Sequence, residues 1–222
     1  MKFSIERGKR FYLLKKYEQA IAELEGIGIE PSEDLELAYY MGLALTQLQR
    51  YDEALLYLEQ VVSSRDNFLH VAQCRMILGY IYSETGRFQL AEFEFRKTLR
   101  EGIHSHQVYA SLGHVYYQMR RIDDSIEALK KSLSMHENYP SALNSLGYIY
   151  AEEDINKLKA IELCKKAVKI SPNNPSYLDS LGWAHFKNNK IEEARGYLRR
   201  ALDIIPGNKQ IANHLKIVME SL

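Results

Sequence analysis

A Leu-Gly pair that recurs about every 34 residues is the feature that most constrains the fold of this chain. The repeat glycines are Gly42, which follows Met41, and Gly79, Gly113, Gly147 and Gly182, each of which follows Leu; they are separated by 37, 34, 34 and 35 residues. A further glycine, Gly8, lies 34 residues before the first of them. Self-similarity at a period of this length indicates stacked structural units, none of which can bury its apolar face alone. The sequence therefore predicts six such units.

Each unit has the pattern of two amphipathic helices. In the fifth unit, Leu143, Leu146 and Tyr150 recur at helical spacing beside the glycine. Twelve or thirteen residues after the glycine, a small residue such as Ala160 begins a second apolar stripe with helical spacing. We expect the glycine of the first helix to face the small residue of the second, so that the two backbones can approach closely.

Turn and cap residues separate the helices at the expected places. Gly86 and Asn189 lie between the two halves of a unit, where a residue in the left-handed conformation often ends a helix. Between the fifth and sixth units, Asn174 is expected to be an N-cap, and Pro175 the first residue of the next helix.

This frame resembles the tetratricopeptide repeat, a helix-turn-helix unit of 34 residues. The resemblance covers nearly the whole chain, and in the fifth unit it rests on Leu143, Leu146, Gly147, Tyr150, Ala160, Cys164 and Pro172. It implies an all-α fold, a right-handed α-solenoid of about six repeats with a C-terminal capping helix. The expected repeats span residues 1–34 (degenerate), 35–71, 72–105, 106–139, 140–174 and 175–208, and the capping helix spans residues 209–222.

Departures from the frame predict local irregularities. Arg7 occupies a packing position that holds Met or Leu in other units, and three extra residues near 68–71 lengthen the second junction. The capping helix should cover the end of the array with one apolar face and a polar outer side. The residues expected on its apolar face are Ile211, Leu215, Val218 and Leu222.

Composition and charge argue against several classes of partner. The 29 Lys and Arg residues balance the 29 Asp and Glu residues, and no basic stripe follows one helical phase, so nucleic acid is not expected as a partner. No stretch has the ~18 consecutive apolar residues of a membrane span, which argues against membrane insertion. The N-terminal residues lack the apolar core of a signal peptide. The expected location is therefore cytoplasmic, or periplasmic if a leader precedes Met1.

Signals for chemistry are weak, and the sequence predicts a protein that is not an enzyme. Ser111, Ser145 and Ser180 recur at one helical phase, which favours a structural role over a nucleophilic one. No glycine-rich phosphate loop is present outside the helical pattern. The pair His104 and His106 lacks further ligands, so neither a metal nor any other cofactor is expected. Two buried free thiols are expected at the only cysteines, Cys74 and Cys164.

A second face of each first helix is the candidate binding surface. When the repeat glycine is numbered 8, positions 2, 5, 9 and 12 share one face. In proteins that this chain resembles, that face lines a concave groove that holds a segment of a partner. Position 9 carries an aromatic or imidazole ring in four successive units, which suits recognition because such rings offer large contact area with few rotors. The candidate residues are Tyr39, Leu43, Tyr80, His114, Tyr117, Asn144, Tyr148, Asp179, Trp183 and Phe186.

Two other interpretations of this face were weighed. The rings could simply pack on one another where adjacent first helices crowd together, and this alternative stays open. A clamp for the acidic tails of chaperones is disfavoured, because the relevant phases carry residues such as Gln73, Asn144 and Tyr148 and no set of cations. If first helices are ~10 Å apart, four rings span about nine residues of extended chain at ~3.3 Å each.

The leading hypothesis is a non-enzymatic scaffold or adaptor that binds a peptide segment of an unknown protein partner in this groove. A self-assembling structural component is a second hypothesis, prompted by Ile217 and Met219 on the final helix outside its main apolar stripe. Such a component would form a homo-oligomer. A third is an accessory protein of bacterial envelope, secretion or pilus assembly, since the layout resembles lipoproteins of that kind. That hypothesis needs residues before Met1, because no lipidation cysteine lies near the start.

Overall fold

The fold was analysed in a computed structural model, which describes residues 4–29, 33–64 and 68–221. All regular secondary structure in these three ranges is α-helical, so the expected all-α class is confirmed. The chain forms two compact units, Met1–His104 (unit 1) and Ser105–Leu222 (unit 2).

Unit 1 is built from helical hairpins. Its helices are α1 (Ile5–Leu13), α2 (Tyr17–Glu25), α3 (Leu35–Gln47), α4 (Tyr51–Ser63), α5 (Phe68–Glu84) and α6 (Phe88–Arg100). Helices α1 and α2, α3 and α4, and α5 and α6 pair as hairpins, and each hairpin packs against the next.

Unit 2 repeats the same arrangement and ends with an additional helix. Its helices are α7 (His106–Gln118), α8 (Ile122–Met135), α9 (Pro140–Glu152), α10 (Lys157–Ile170), α11 (Pro175–Lys187), α12 (Ile191–Ile204) and α13 (Lys209–Glu220). The hairpins α7/α8, α9/α10 and α11/α12 pack in succession, and α13 packs on the last of them.

The first helices of neighbouring hairpins form a continuous layer inside each unit. In unit 2, α7 contacts α9, α9 contacts α11, and α11 contacts α13, whereas α8, α10 and α12 make no contact with one another within residues 105–221. In the described ranges of unit 1, α1 contacts α3 and α3 contacts α5, whereas α2, α4 and α6 make no contact with one another. Because only the first helices touch in series, we call them the inner layer of each unit.

The repeat glycines permit the close crossing inside each hairpin. A methyl group on Gly147 would lie 2.6 Å from the Sγ of Cys164 and 3.0 Å from the carbonyl oxygen of Ala160. A methyl group on Gly42 would lie 2.6 Å from Cδ2 of Leu58. The sequence predicts that the glycine faces the small residue of the second helix. In the structure, this small residue is not the only neighbour of the glycine. The larger side chain one turn further along the second helix fills most of the space.

Turns between paired helices use the left-handed backbone conformation. The expected residues Gly86 and Asn189 have φ of 74° and 58°, which confirms the prediction. The corresponding turns of the other hairpins place non-glycine residues there, namely Lys15, Gln49, Arg120 and Asp154. Such residues are uncommon at positive φ and raise the free energy of the folded state.

The junction before α11 also follows the sequence prediction. The side chain of Asn174 accepts a hydrogen bond from the backbone N–H of Tyr177 at 3.1 Å, and the helix begins at Pro175. This N-cap satisfies a backbone donor that the first turn of α11 leaves without an intrahelical acceptor.

Departures from the repeat frame have local explanations in unit 1. The guanidinium group of Arg7 lies 3.4 Å from a carboxylate oxygen of Glu23, which is buried. Residues 68–71 form the first turn of α5, which has 17 residues whereas α3 has 13. The extra residues of this junction therefore lengthen a helix.

A buried arginine lies at a packing position of α5. Arg75 is 4% exposed, and its guanidinium group donates to Glu94 at 3.0 Å and to Glu101 at 3.1 Å. Two carboxylates are enough to compensate the charge, as burial of an ion requires. The packing layer of unit 1 is thus partly ionic.

Helix α13 covers the end of unit 2 as expected. Ile211 and Val218 are buried and Leu215 is partly buried, while Lys209 is exposed on the polar side. Leu222, which was expected on the apolar face, lies outside the described residues. Both cysteines of the chain are buried and free, which confirms the expectation for them.

Candidate functional site

The inner layer of unit 2 contains an open cleft of about 270 Å³, which we call the unit-2 cleft. Its walls come from α7, α9, α11 and the start of α13. Five of the ten residues selected from the sequence line it, namely His114, Tyr117, Asn144, Tyr148 and Asp179. The inner layer therefore brings together half of the predicted residues in one place.

The unit-2 cleft crosses the first helices diagonally. It contacts late positions of α7, middle positions of α9, early positions of α11 and the first residues at α13. Examples in this order are Tyr117 and Gln118, Asn144 and Tyr148, Ser176 and Asp179, and Asn208 and Gln210. Neighbouring helices are thus offset by about one turn where they meet the cleft, because packed helices cross at an angle.

This offset explains which lining residues the sequence prediction missed. Six polar residues of the lining were not selected: Gln118, Ser145, Ser176, Ser180, Asn208 and Gln210. The sequence prediction selected residues at the same fixed positions, 5, 9 and 12, in every repeat, whereas the cleft moves about one helical turn toward the N-terminus of the helix with each repeat. The change from aromatic to amide and hydroxyl side chains along that diagonal is the sequence signal that could have identified them.

Two tyrosines form the centre of the unit-2 cleft. The rings of Tyr117 and Tyr148 meet edge to face, with centroids 6.0 Å apart and an interplanar angle of 89°. Burial raises the pKa of both phenols, and the carboxylates of Glu152 and Asp179 raise that of Tyr148 further. Both hydroxyls are therefore protonated at neutral pH and can donate or accept a hydrogen bond.

An amide next to these rings lacks a partner. The Oδ1 atom of Asn144 is buried and accepts no hydrogen bond from the described residues. The equivalent oxygen of Asn208 accepts from the N–H of Ile211 at 3.1 Å and caps α13. A buried polar atom without a partner raises the free energy of the folded state. A guest that donates a hydrogen bond to Oδ1 of Asn144 would remove this cost.

Trp183 and Phe186 lie outside the lining of the unit-2 cleft. Trp183 is 7% exposed, and its indole N–H donates to Oε2 of Glu152 at 2.6 Å. Its ring stacks on His214 with centroids 4.2 Å apart and lies 5.1 Å from the ring of Phe186. The ring of Trp183 thus has internal packing partners on two sides.

Charged groups around Trp183 link α9, α11 and α13. Oδ1 of Asp179 lies 2.8 Å from Nδ1 of His214, and Nζ of Lys187 lies 3.1 Å from Oε2 of Glu152. Burial acts to raise the pKa of Glu152, but the hydrogen bonds from Trp183 and Lys187 outweigh it, so this pKa lies below its ordinary value. Glu152 is therefore an anion at neutral pH.

Unit 1 has a cleft in the corresponding place, which we call the unit-1 cleft. It measures about 500 Å³ and is lined from α1, α3 and α5 and the start of α4. Leu43 and Tyr80 belong to its lining, and Tyr39 does not. Tyr39 is buried, donates its hydroxyl proton to Oε1 of Gln73 at 2.6 Å and stacks on His70 at 3.9 Å.

The lining of the unit-1 cleft carries no charged side chain among the described residues. The hydroxyls of Tyr80 and Tyr51 are 3.5 Å apart, and their rings meet edge to face at 6.4 Å. The pKa of Tyr80 is raised, mainly by the hydroxyl contact with Tyr51 and secondly by burial. Its lining residues that were not selected from the sequence include Tyr12, Tyr51 and Gln73.

Residues 4–29, 33–64 and 68–221 contain neither a metal centre nor a helix that could span a membrane. In these ranges, no three His, Cys, Asp or Glu side chains lie close enough together to hold a metal ion. No helix there combines the length and apolar character needed to cross a bilayer.

Comparison of the chain with known families and proteins adds to this geometry. Models of the tetratricopeptide repeat match residues 39–105, 111–175 and 175–208. No curated protein sequence matches the chain.

Several solved structures are similar to this chain. Pseudomonas aeruginosa pilF is 17% identical with a TM-score of 0.76, over 98% of this chain and 96% of that protein. YrrB, described as a tetratricopeptide repeat protein with an unusual peptide-binding site, is 20% identical with a TM-score of 0.57, over 90% and 97% respectively. MamA is 22% identical with a TM-score of 0.59, over 77% and 91%. At such identities the similarity concerns the fold.

Proposed function

Because this chain belongs to the tetratricopeptide repeat family, we propose that it is a non-enzymatic scaffold that binds a segment of a partner protein in the unit-2 cleft. The observation that carries the proposal is the convergence of two tyrosine rings, Tyr117 and Tyr148, with the side-chain oxygen of Asn144, which accepts no hydrogen bond from the described residues. Aromatic side chains beside polar groups with free hydrogen-bonding capacity are typical of recognition surfaces.

The size and course of the unit-2 cleft suit a short chain segment. At about 270 Å³ it accommodates one or two side chains of a guest. It crosses α7, α9, α11 and the start of α13, so a bound segment would run diagonally over the inner layer. Backbone groups of the segment could pair with Gln118 and Gln210, which are exposed at opposite ends of the lining.

Site-specific photo-crosslinking tests this function. A benzophenone amino acid replaces Tyr148, and the same amino acid replaces Leu158 in a matched control. Leu158 lies on α10 and is 74% exposed. Illumination in cells of the native organism should yield adducts at position 148 that are absent at position 158. Equal adducts at both positions, or none at 148, would contradict a binding role for the cleft.

Self-assembly is a second candidate function, supported by a different observation. Met219 on α13 is 40% exposed, and Ile204 and Ile205 at the end of α12 are 43% and 44% exposed. Apolar side chains at the end of a repeat array can pair with a second copy. Light scattering after size exclusion separates the two functions, because a monomer at high concentration would remove self-assembly and leave the cleft untouched.

Participation in envelope, secretion or pilus assembly is a third candidate. It is supported by the similarity of the fold to pilF over 98% of this chain. Mass spectrometry of the adducts formed at position 148 would decide it, because such a role requires a partner from that machinery.

A further inference from the structure

The unit-2 cleft has one carboxylate in its lining and two more carboxylates close to its central tyrosine, Tyr148. Asp179 is the only Asp or Glu among its described lining residues, and the lining includes no Lys or Arg. The carboxylates of Glu152, Asp179 and Glu153 all act on the phenol of Tyr148 and favour its protonated form. A guest that brings positive charge therefore gains electrostatic energy in this cleft.

The cationic side chains that lie close to the unit-2 cleft are already paired with carboxylates of the chain. Arg120 lies near Tyr117, but its guanidinium group pairs with Glu153 at 3.7 Å. Lys187 pairs with Glu152 at 3.1 Å. The partner of Asp179 is the ring of His214, whose Nδ1 lies 2.8 Å from Oδ1. No lysine or arginine in the described ranges thus pairs with Asp179.

In the described part of the chain, no lysine or arginine lies over the ring of either cleft tyrosine, Tyr117 or Tyr148. Elsewhere, Arg121 lies over the ring of Tyr116 at 4.4 Å, and Lys187 lies over the ring of Trp183 at 5.3 Å. A cation is attracted to the face of such a ring by its quadrupole, and the gain is larger where water is excluded.

Hydrogen-bonding groups in the cleft favour a guest with several N–H donors. Oδ1 of Asn144 is a buried acceptor without a partner, and the carboxylate of Asp179 is an acceptor only. The two phenol oxygens can accept as well. A guanidinium group offers five donors in a plane and can also stack on an aromatic face, whereas an ammonium group is a compact, strongly hydrated charge.

We propose that the unit-2 cleft accepts an arginine side chain from the partner segment, with its guanidinium group against Tyr117 and Tyr148 and hydrogen-bonded to Asn144 and Asp179. This assignment rests on the proposed function and names the chemistry of the partner. A glutamate or aspartate of the partner is disfavoured in the same place, because it would lie beside Asp179 and the described lining offers no lysine or arginine to compensate it.

Binding of small blocked amino acids to the full chain tests the arginine assignment. The probes are N-acetyl-arginine methylamide and the equivalent citrulline compound, which keeps the shape and removes the charge. Lysine and glutamate probes complete the set. Chemical-shift changes in ¹H–¹⁵N spectra report the site and the dissociation constant. Affinities in the millimolar range are expected for one residue, so titrations extend to about 20 mM.

The arginine probe should shift signals of the unit-2 cleft, and its dissociation constant should be about tenfold lower than that of citrulline. Tyr148→Leu should raise it about fivefold, whereas the matched variant Tyr80→Leu in the unit-1 cleft should leave it unchanged. Equal affinity for arginine and citrulline, tighter binding of lysine or glutamate, shifts outside the cleft, or no shift at all would each overturn the assignment.

The crosslinking experiment separates this inference from the proposed function. A protein adduct at position 148 whose attached peptide contains no arginine would leave the binding role standing and overturn the arginine assignment. If the adduct peptide contains arginine, a synthetic copy with citrulline in place of that arginine should give a lower crosslinking yield.

Discussion

The clefts of units 1 and 2 are lined from the same register of their first helices but differ in chemistry. The lining of the unit-1 cleft includes Leu43 and, among the described residues, no charged side chain, and the hydroxyl of Tyr80 contacts that of Tyr51. The unit-2 cleft contains a carboxylate, Asp179, and an amide oxygen, that of Asn144, without a partner in the described part of the chain. Repeat geometry therefore decides where a cleft forms, while a few side chains decide what it can hold.

The largest expected effect is a difference between the two units in how far a methyl group on the repeat glycine lowers the free energy of unfolding. Gly147→Ala should lower the free energy of unfolding by about 2 kcal/mol, because two of the atoms in its way are backbone atoms of α10, which cannot move independently. Gly42→Ala should cost less than about 1 kcal/mol, since the Leu58 side chain can shift and alanine favours the helix.

Urea unfolding followed by tryptophan fluorescence measures this difference selectively. Trp183 is the only tryptophan of the chain and lies in unit 2. Its transition should move to lower urea in Gly147→Ala, while circular dichroism reports on both units. A larger loss for Gly42→Ala than for Gly147→Ala would contradict the assignment of the rigid crossing to unit 2.

The second expected effect concerns binding. Replacement of Tyr117 and Tyr148 together by Leu should weaken capture of the crosslinked partner segment at least about tenfold, because both central rings are lost. The matched variant Tyr80→Leu should retain affinity within about twofold if the unit-1 cleft is not the site. Titration of a labelled synthetic segment measures both values. Loss of affinity only in Tyr80→Leu would move the site to unit 1.

A third expected effect compares two rings at the same repeat position. Trp183→Phe keeps a ring but removes the indole donor to Glu152, and it should lower the free energy of unfolding by about 1 kcal/mol. Tyr80→Phe removes a 3.5 Å hydroxyl contact at a residue that is 47% exposed, so its cost should stay below about 0.5 kcal/mol. Urea unfolding followed by circular dichroism should show this order. Equal losses of unfolding free energy in the two variants would indicate that the hydrogen bond from Trp183 to Glu152 does not stabilise the fold.

The smallest expected effect is a pH dependence confined to unit 2. His185 is 3% exposed, neither ring nitrogen has a partner among the described residues, and burial lowers its pKa from 6.5. Its counterpart in unit 1, Tyr82, donates a hydrogen bond to Glu59 at 2.7 Å. Because the unfolded state binds the proton more readily, stability should fall as the pH drops below 6.5 until it reaches the lowered pKa.

His185→Phe isolates this contribution, because the ring stack on Tyr197 can persist without buried nitrogen atoms. The variant should be more stable than the natural chain by about 0.5 kcal/mol at pH 7.5, and the gap should widen at pH 5.5. Burial also lowers the pKa of His106, but that residue is present in both proteins and cancels from the difference. A gap that narrows on acidification would refute the role of His185.

The fold could be predicted from the sequence because its determinants repeat. The glycine of each unit, the cap at Asn174 and the left-handed residues Gly86 and Asn189 act through local backbone geometry, which a sequence pattern encodes directly. Arg75 shows the limit of this approach, because the pairing of its buried charge with Glu94 depends on contacts that no repeat pattern specifies.

The candidate site could be predicted in part only. Fixed repeat positions identify the tyrosines of the unit-2 cleft, Tyr148 at position 9 and Tyr117 at position 12, but position 9 treats Trp183 and Tyr148 as equivalent. Their surroundings differ because α13 brings His214 against Trp183, whereas Tyr148 has the open cleft beside it. Such differences come from the angle between neighbouring helices and from the end of the array, which one repeat position does not encode.

If a segment binds in the unit-2 cleft as proposed, it would have a mechanical role, because the first helices of the inner layer contact only their neighbours. Helix α7 contacts α9 but not α11 or α13 within residues 105–221, so unravelling can begin at the last hairpin without disturbing the first. A guest in the unit-2 cleft would touch α7 and the start of α13 at once. It would therefore couple the hairpins of unit 2, so that they unfold together. A bound partner would change the unfolding of this unit from gradual fraying to one cooperative transition.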